Sequence, residues 1–223
     1  MYINNHFKNY ENFTLGPLKQ NAGITFGNML RRVLLNSIES IGIIDIKYSA
    51  KNQDIDKLNI KTEFQELILE FSENIKKLIF IIEENKNNIE TKTVILEIEK
   101  IKRFTAKDLK TPSEIKIVNS NQYLGTNTIF EGIEIQIGIG YFKDLKKKEK
   151  YEKNNHILLG RNNFNPIERV NYKIKKIISS DKLEEQVLLE IWTNGSITPK
   201  KALIQALNIC GDTLQEIKQK LLK

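Results

Sequence analysis

The chain has 223 residues, 35 of them basic and 28 acidic, for a net charge of +7, and it carries one cysteine. That length can bury one good core or two small ones, and no run of 18 apolar residues is present to span a membrane. The lone Cys210 excludes an internal disulfide framework and any cysteine-based zinc or iron–sulfur site in the monomer.

In chain order, MYINNHFKNY lacks the charged-then-apolar pattern of a secretory signal and is too poor in arginine for a typical transit peptide. Phe13–Leu18 reads as a short strand punctuated by Gly16 and Pro17. Thr25 is then expected to cap a helix within Gly23–Ser37, GITFGNMLRRVLLNS. At 100° per residue, Phe26, Met29, Leu30, Val33 and Leu34 form its core-facing stripe. Asn28, Arg31, Arg32 and Leu35 share the other side. A leucine among arginines suits a protein partner, because Arg supplies rigid bidentate donors and Leu supplies apolar area; a solvated pair on an ordinary surface helix is the plainer alternative.

Ile41–Tyr48 reads as a strand. Thr62 and Gln65 have capping-box spacing at the start of a second helix, whose buried stripe is Phe64, Leu67, Ile68, Phe71, Ile75, Leu78 and Ile79. Strands follow over Val94–Ile101, Glu114–Val118 and Ile129–Ile139. Lys143–Lys153 interleaves its lysines with Asp144, Glu149 and Glu152 and reads as a solvated loop. Val170–Ile177 and Gln186–Thr193 pair as a hairpin over Ser179–Lys182.

The last helix is capped by Thr198 with Pro199 in its first position. Leu203, Leu207, Cys210, Leu214, Ile217 and Leu221 follow at spacings of 4, 3, 4, 3 and 4. Such a seam fits a partner helix, and periodicity alone leaves packing on the chain's own sheet equally open. Gly211, which costs about 1 kcal/mol relative to Ala in mid-helix, implies a close helix contact.

No catalytic pattern emerges. Asp54 and Asp56 form a lone carboxylate pair in a polar stretch, and His6 and His156 have no second ligand at metal spacing. Gly138 and Gly140 lack the spacing of a phosphate loop, so a strand kink or bulge accounts for them better. Only five basic residues are arginine, and lysine, isoleucine and asparagine abound. That is the bias of an AT-rich coding sequence, so the charge reads as spread over the surface rather than as a footprint on phosphate.

GNMLRRVLL preceded by GIT resembles the first helix of the RNA polymerase alpha subunit family, bacterial or plastid type. Leu189–Pro199, LEIWTNGSITP, resembles the segment entering that family's second dimerisation helix, and Asn165–Tyr172, NPIERVNY, its strand returning from an inserted domain. The likeness covers nearly the whole chain as the family's N-terminal assembly region and is weak from Ile82 to Asn127.

The resemblance implies an α+β fold: a discontinuous dimerisation domain of residues 1–40 and 165–223, two main helices on an antiparallel sheet, with a mostly β domain of residues 41–164 inserted. It implies a homodimer through Phe26, Met29, Leu30, Val33, Leu34, Leu203, Leu207, Cys210, Leu214, Ile217 and Leu221. Arg31, Arg32, Leu35 and Lys76 fall where the family grips the beta subunit; beta-prime is the other large partner, and DNA is met only through the assembled polymerase. The chain is then a scaffold in a nucleotidyltransferase, with no catalytic residue, metal or cofactor of its own. Ile137 and Ile139 replace arginines common in the family, which puts any polar contact there in doubt. Bacterial members continue into a DNA-binding C-terminal domain, and a chain ending at Lys223 is expected to lack it. Composition and WTNGSITP point to the plastid stroma, with the bacterial cytoplasm as the alternative. A free-standing basic nucleic-acid-binding dimer is the competing function.

Overall fold

The computed structural model describes residues 9–50, 70–82, 92–97, 103–126, 130–140, 156–157, 165–179 and 182–222. The chain divides into two units. One holds the described residues up to Ser40 together with those from Asn165 onward; the other holds Ile41–Gly140 and His156–Ile157.

In the first unit, β1 (Tyr10–Lys19), β10 (Ile167–Ser179) and β11 (Lys182–Thr193) form an antiparallel sheet in the order β1-β11-β10. The hairpin expected over Ser179–Lys182 is present, with those two residues paired at its tip. Pro17 has no N–H to contribute to a ladder, and the β1–β11 register shifts between Leu15 and Leu18. Residues of β11 alternate in the period of two that a one-sided core requires: Glu185, Val187, Leu189 and Ile191 are buried, while Leu188, Glu190 and Trp192 are half-exposed on the other face. On that outer face Trp192 lies between the Tyr10 ring, 4.8 Å away, and the Arg169 guanidinium, 4.9 Å away.

Two helices cover the inner face, α1 (Ala22–Asn36) and α3 (Pro199–Leu221). Leu30, Leu34, Ile38, Val170, Leu189, Ile191, Ala202, Leu203, Ala206 and Cys210 form the core they share with the sheet. Thr198 caps α3 as expected, its side chain accepting the Lys201 N–H, and Pro199 starts the helix. Thr25, however, does not cap α1. The helix begins at Ala22, one turn earlier, after Asn21 in a left-handed conformation with φ 66°.

The α1 stripe is also rotated from the sequence expectation. Gly23, Gly27, Leu30 and Leu34 are its buried residues, whereas Phe26 is 42% exposed and Met29 and Val33 are half-buried. A hydrophobicity pattern gives no weight to glycine, and here two glycines mark where the helix lies closest to the sheet. A Cβ on Gly27 would stand 2.5 Å from Tyr172 Cδ2, and one on Gly23 would stand 2.8 Å from Glu185 Oε2.

The second unit has its own core of Ile43, Ile46, Phe71, Ile75, Leu78, Phe80, Val94, Phe104, Ala106, Leu109, Ile115 and Leu124. β2 (Ser40–Ala50), β4 (Lys92–Glu97), β8 (Phe130–Gly140) and β9 (His156–Ile157) pair in the order β4-β8-β2-β9. Two small pairs accompany them: β3 (Phe80–Ile82) with β6 (Ile115–Ile117), and β5 (Arg103–Thr105) with β7 (Tyr123–Thr126). The described part of α2 covers residues 70–75. Phe71, Ile75 and Leu78 are buried as expected, but the helix ends at residue 75, and Leu78 and Ile79 lie in the connection to β3. Phe64, Leu67, Ile68 and the Thr62 cap fall outside the described residues. β8 keeps its register against β4 from Gly132 to Ile137, and Gly138 and Gly140 lie beyond that pairing. The fold is thus α+β, with antiparallel strand pairing throughout the registered pairs.

Candidate functional site

The chemistry-bearing side chains among the described residues do not gather into a reaction centre. Among the described residues, no group of three or more His, Cys, Asp and Glu could hold a metal ion, and no helix is long and apolar enough to cross a membrane. Asp54, Asp56, His6 and the Lys143–Lys153 run lie outside the described residues. His156 is in β9, paired with Lys47. The first unit instead offers surfaces, and they belong to α1 and α3.

The seat of α1 is set by two residues remote in sequence. Glu185 is 4% exposed, and its Oε2 accepts the Gly23 backbone N–H at 2.9 Å. This satisfies one of the donors every helix N-terminus leaves unpaired and puts a carboxylate at the positive end of the helix dipole. One turn on, the Tyr172 ring packs against Gly27 and its hydroxyl donates to Asn28 Oδ1 at 2.9 Å. At the other end, the Ser37 N–H donates to the Val33 carbonyl and Asn165 Nδ2 to the Leu35 carbonyl.

With the helix so held, Ile24, Asn28, Arg31 and Arg32 are exposed. Neither arginine forms an ion pair with a described residue, and α1 contains no acidic side chain. Leu35 departs from the expected face: it is half-buried and packs against the core, so it does not stand exposed between the arginines. Lys76 belongs to the other unit, just past the end of α2, where it pairs with Glu73 and holds that carboxyl below its ordinary range.

The α3 seam splits. Leu203 and Cys210, with Leu30 and Leu34 of α1, are interior residues of the protomer's own core and present no surface to a second chain. Burial pushes the Cys210 thiol pKa up. Leu207, Leu214, Ile217 and Leu221 are exposed, at 44%, 58%, 51% and 81%, and Ile204 joins them at 49%. Every residue from Gly211 to Leu222 is exposed, a stretch of roughly 16 Å at 1.5 Å per residue. The close contact expected at Gly211 is absent within the protomer, where a Cβ would meet nothing within 4 Å.

Sequence reasoning missed Glu185, Tyr172, Gly23 and Gly27 as the residues that seat α1. The four-residue spacing of the two glycines was the available signal, since it places both on one helix face.

Comparison with known proteins places this arrangement. Residues 16–214 match the family model of the RNA polymerase Rpb3/Rpb11 dimerisation domain. The chain is 32% identical over 215 residues to the DNA-directed RNA polymerase subunit alpha of Rhodomonas salina, covering 94% of this chain and 66% of that protein. It is 33% identical over 216 residues to the subunit of the same name from Pyrenomonas salina, again covering 94% and 66%. With that of Aster yellows witches'-broom phytoplasma (strain AYWB) the identity is 30% over 216 residues, covering 93% and 63%. The chain therefore spans slightly less than two thirds of the length of these curated relatives.

Proposed function

The chain belongs to the RNA polymerase Rpb3/Rpb11 dimerisation-domain family, and from that premise we propose that it acts as an alpha subunit, a scaffold that dimerises and then collects the beta and beta-prime subunits of a DNA-directed RNA polymerase. The observation that carries the dimer is the exposed half of α3. An isolated helix of that length is marginal in water, and Leu214, Ile217 and Leu221 leave its apolar stripe uncovered. Each leucine buried by a twofold mate would contribute about 1.5 to 3 kcal/mol. Phe26, Met29 and Val33, on the flank of α1 away from the sheet contact, are the residues of that helix assigned to the same interface; Leu30, Leu34, Leu203 and Cys210 support it from beneath.

Capture of the beta subunit is assigned to Arg31 and Arg32, with Lys76 contributing from the inserted unit and Leu35 only through its exposed edge. The working complex is a nucleotidyltransferase whose reaction centre lies on another subunit, and DNA is met through the assembled enzyme. The plastid stroma is the proposed compartment; the phytoplasma relative supports the bacterial cytoplasm as the alternative.

The test is co-purification. Wild-type chain should retain the beta subunit as a dimer, and Arg32→Ala should keep the dimer mass while losing beta. Retention of beta by Arg32→Ala at the wild-type level would remove the arginine from the interface. Tight, sequence-selective binding of the isolated chain to duplex DNA at physiological salt would favour a free-standing nucleic-acid-binding dimer instead.

A further inference from the structure

Asn28 lies one turn before Arg31 and Arg32 on the exposed side of α1, close enough in a helix for the three side chains to be neighbours. Its amide is oriented by Tyr172, whose hydroxyl donates to Oδ1 at 2.9 Å and whose ring packs against Gly27, where the helix has no side chain to displace it. With the acceptor end of the amide taken up, the Nδ2 group remains, without a partner among the described residues. Arginine offers donors only, and α1 supplies no carboxylate to occupy them. Donors therefore dominate the exposed polar groups at the centre of this face.

We propose that Asn28 is a third recognition residue beside Arg31 and Arg32, with Tyr172 as the positioning residue that sets its polarity, and that the face they form takes an acidic segment of the large subunit. The inference rests on the proposed scaffold function and names the chemistry of its contact: aspartate or glutamate carboxylates, the groups that accept simultaneously from two guanidiniums and an amide. Contacts of this kind are salt-sensitive at the rim and specific where desolvated.

The test separates recognition from structure. The proposal predicts an unchanged dimer mass and melting temperature for Asn28→Ala with weakened capture of beta, whereas a purely structural Asn28 predicts a lower melting temperature with unchanged capture. Asn28→Ala, which brings in no new charge, should weaken capture about 10-fold, the weight of one hydrogen bond to a charged group. Tyr172→Phe should weaken it by a smaller factor while leaving the ring on Gly27. Wild-type capture by Asn28→Ala, with Arg32→Ala still defective, overturns the inference and leaves the scaffold standing. Failure of the wild-type dimer to retain beta overturns the scaffold, and this inference with it.

Discussion

The Glu185 carboxylate accepts the backbone N–H of Gly23 at 2.9 Å across a sequence separation of 162 residues, so the first turn of α1 is capped by a strand and not by its own N-cap residue. Asn21 makes no side-chain cap bond, and α1 has no acidic residue in its first turn. The returning strand β11 thereby supplies the charge that the N-terminal helix lacks, which ties together two chain segments far apart in sequence.

Removing that carboxylate leaves a buried N–H without an acceptor. Glu185→Ala should destabilise the protein by about 1 to 3 kcal/mol, the cost of an unsatisfied buried donor, read as a lower urea midpoint with an unchanged slope. Equal midpoints would show that water replaces the carboxylate.

Gly27→Ala brings a Cβ to within 2.5 Å of Tyr172 Cδ2, and a ring cannot retreat as the end of a flexible chain can. The expected loss is about 1 to 3 kcal/mol, typical of overpacking. In a Tyr172→Ala background the same substitution should be neutral or stabilising, since Ala is the better helix former by about 1 kcal/mol. A full double-mutant cycle measures that change of sign.

The two halves of α3 should respond differently. Leu207→Asp with Leu214→Asp touches residues exposed in the protomer and should yield monomers by light scattering, with helical circular dichroism lowered by no more than the exposed half of α3. Leu203→Ala removes a side chain 5% exposed in the core and should cost about 2 to 5 kcal/mol of folding stability. An unchanged dimer mass in the first variant would reject the α3 interface.

Tyr10 predicts an alkaline effect. Burial, and then the Glu190 carboxylate that accepts its hydroxyl at 3.1 Å, raise the phenol above its ordinary value of 10.0. A group whose folded pKa is raised contributes stability that is whole below the unfolded pKa and is lost as pH rises through the folded one. The stability difference between wild type and Tyr10→Phe should therefore be constant from neutral pH to about 9 and shrink above about 10. Trp192, 4.8 Å from the Tyr10 ring, gives the fluorescence readout. A difference that stays constant through pH 11 would contradict the assigned hydrogen bond.

Much of the framework was legible in the residues because its signals are local. Thr198 and Pro199 announce the start of α3 within four residues, alternation reveals β11, and Phe71 and Ile75 mark α2 by helical spacing. The strands missed were β3, β5, β7 and β9, each of two to four residues and too short to repeat a period of two convincingly. They exist because each finds a partner strand, and pairing is a property of two segments.

The order of residues alone establishes that α1 and α3 are amphipathic, where α3 begins, that β10 and β11 fold back as a hairpin, and that Arg31 and Arg32 occupy the side of α1 opposite its apolar stripe. Tertiary structure decided which part of each stripe is spent within the protomer. The approach of Tyr172 and Glu185 to two glycines rotates α1 onto Gly23, Gly27, Leu30 and Leu34, and leaves Phe26 at the surface. α1 and the sheet together cover α3 as far as Cys210 and no farther, so a single heptad seam becomes a core in its first half and an open surface in its second. Periodicity records that a side chain is apolar and which way it points; whether another part of the same chain reaches it depends on contacts between residues that are distant in sequence.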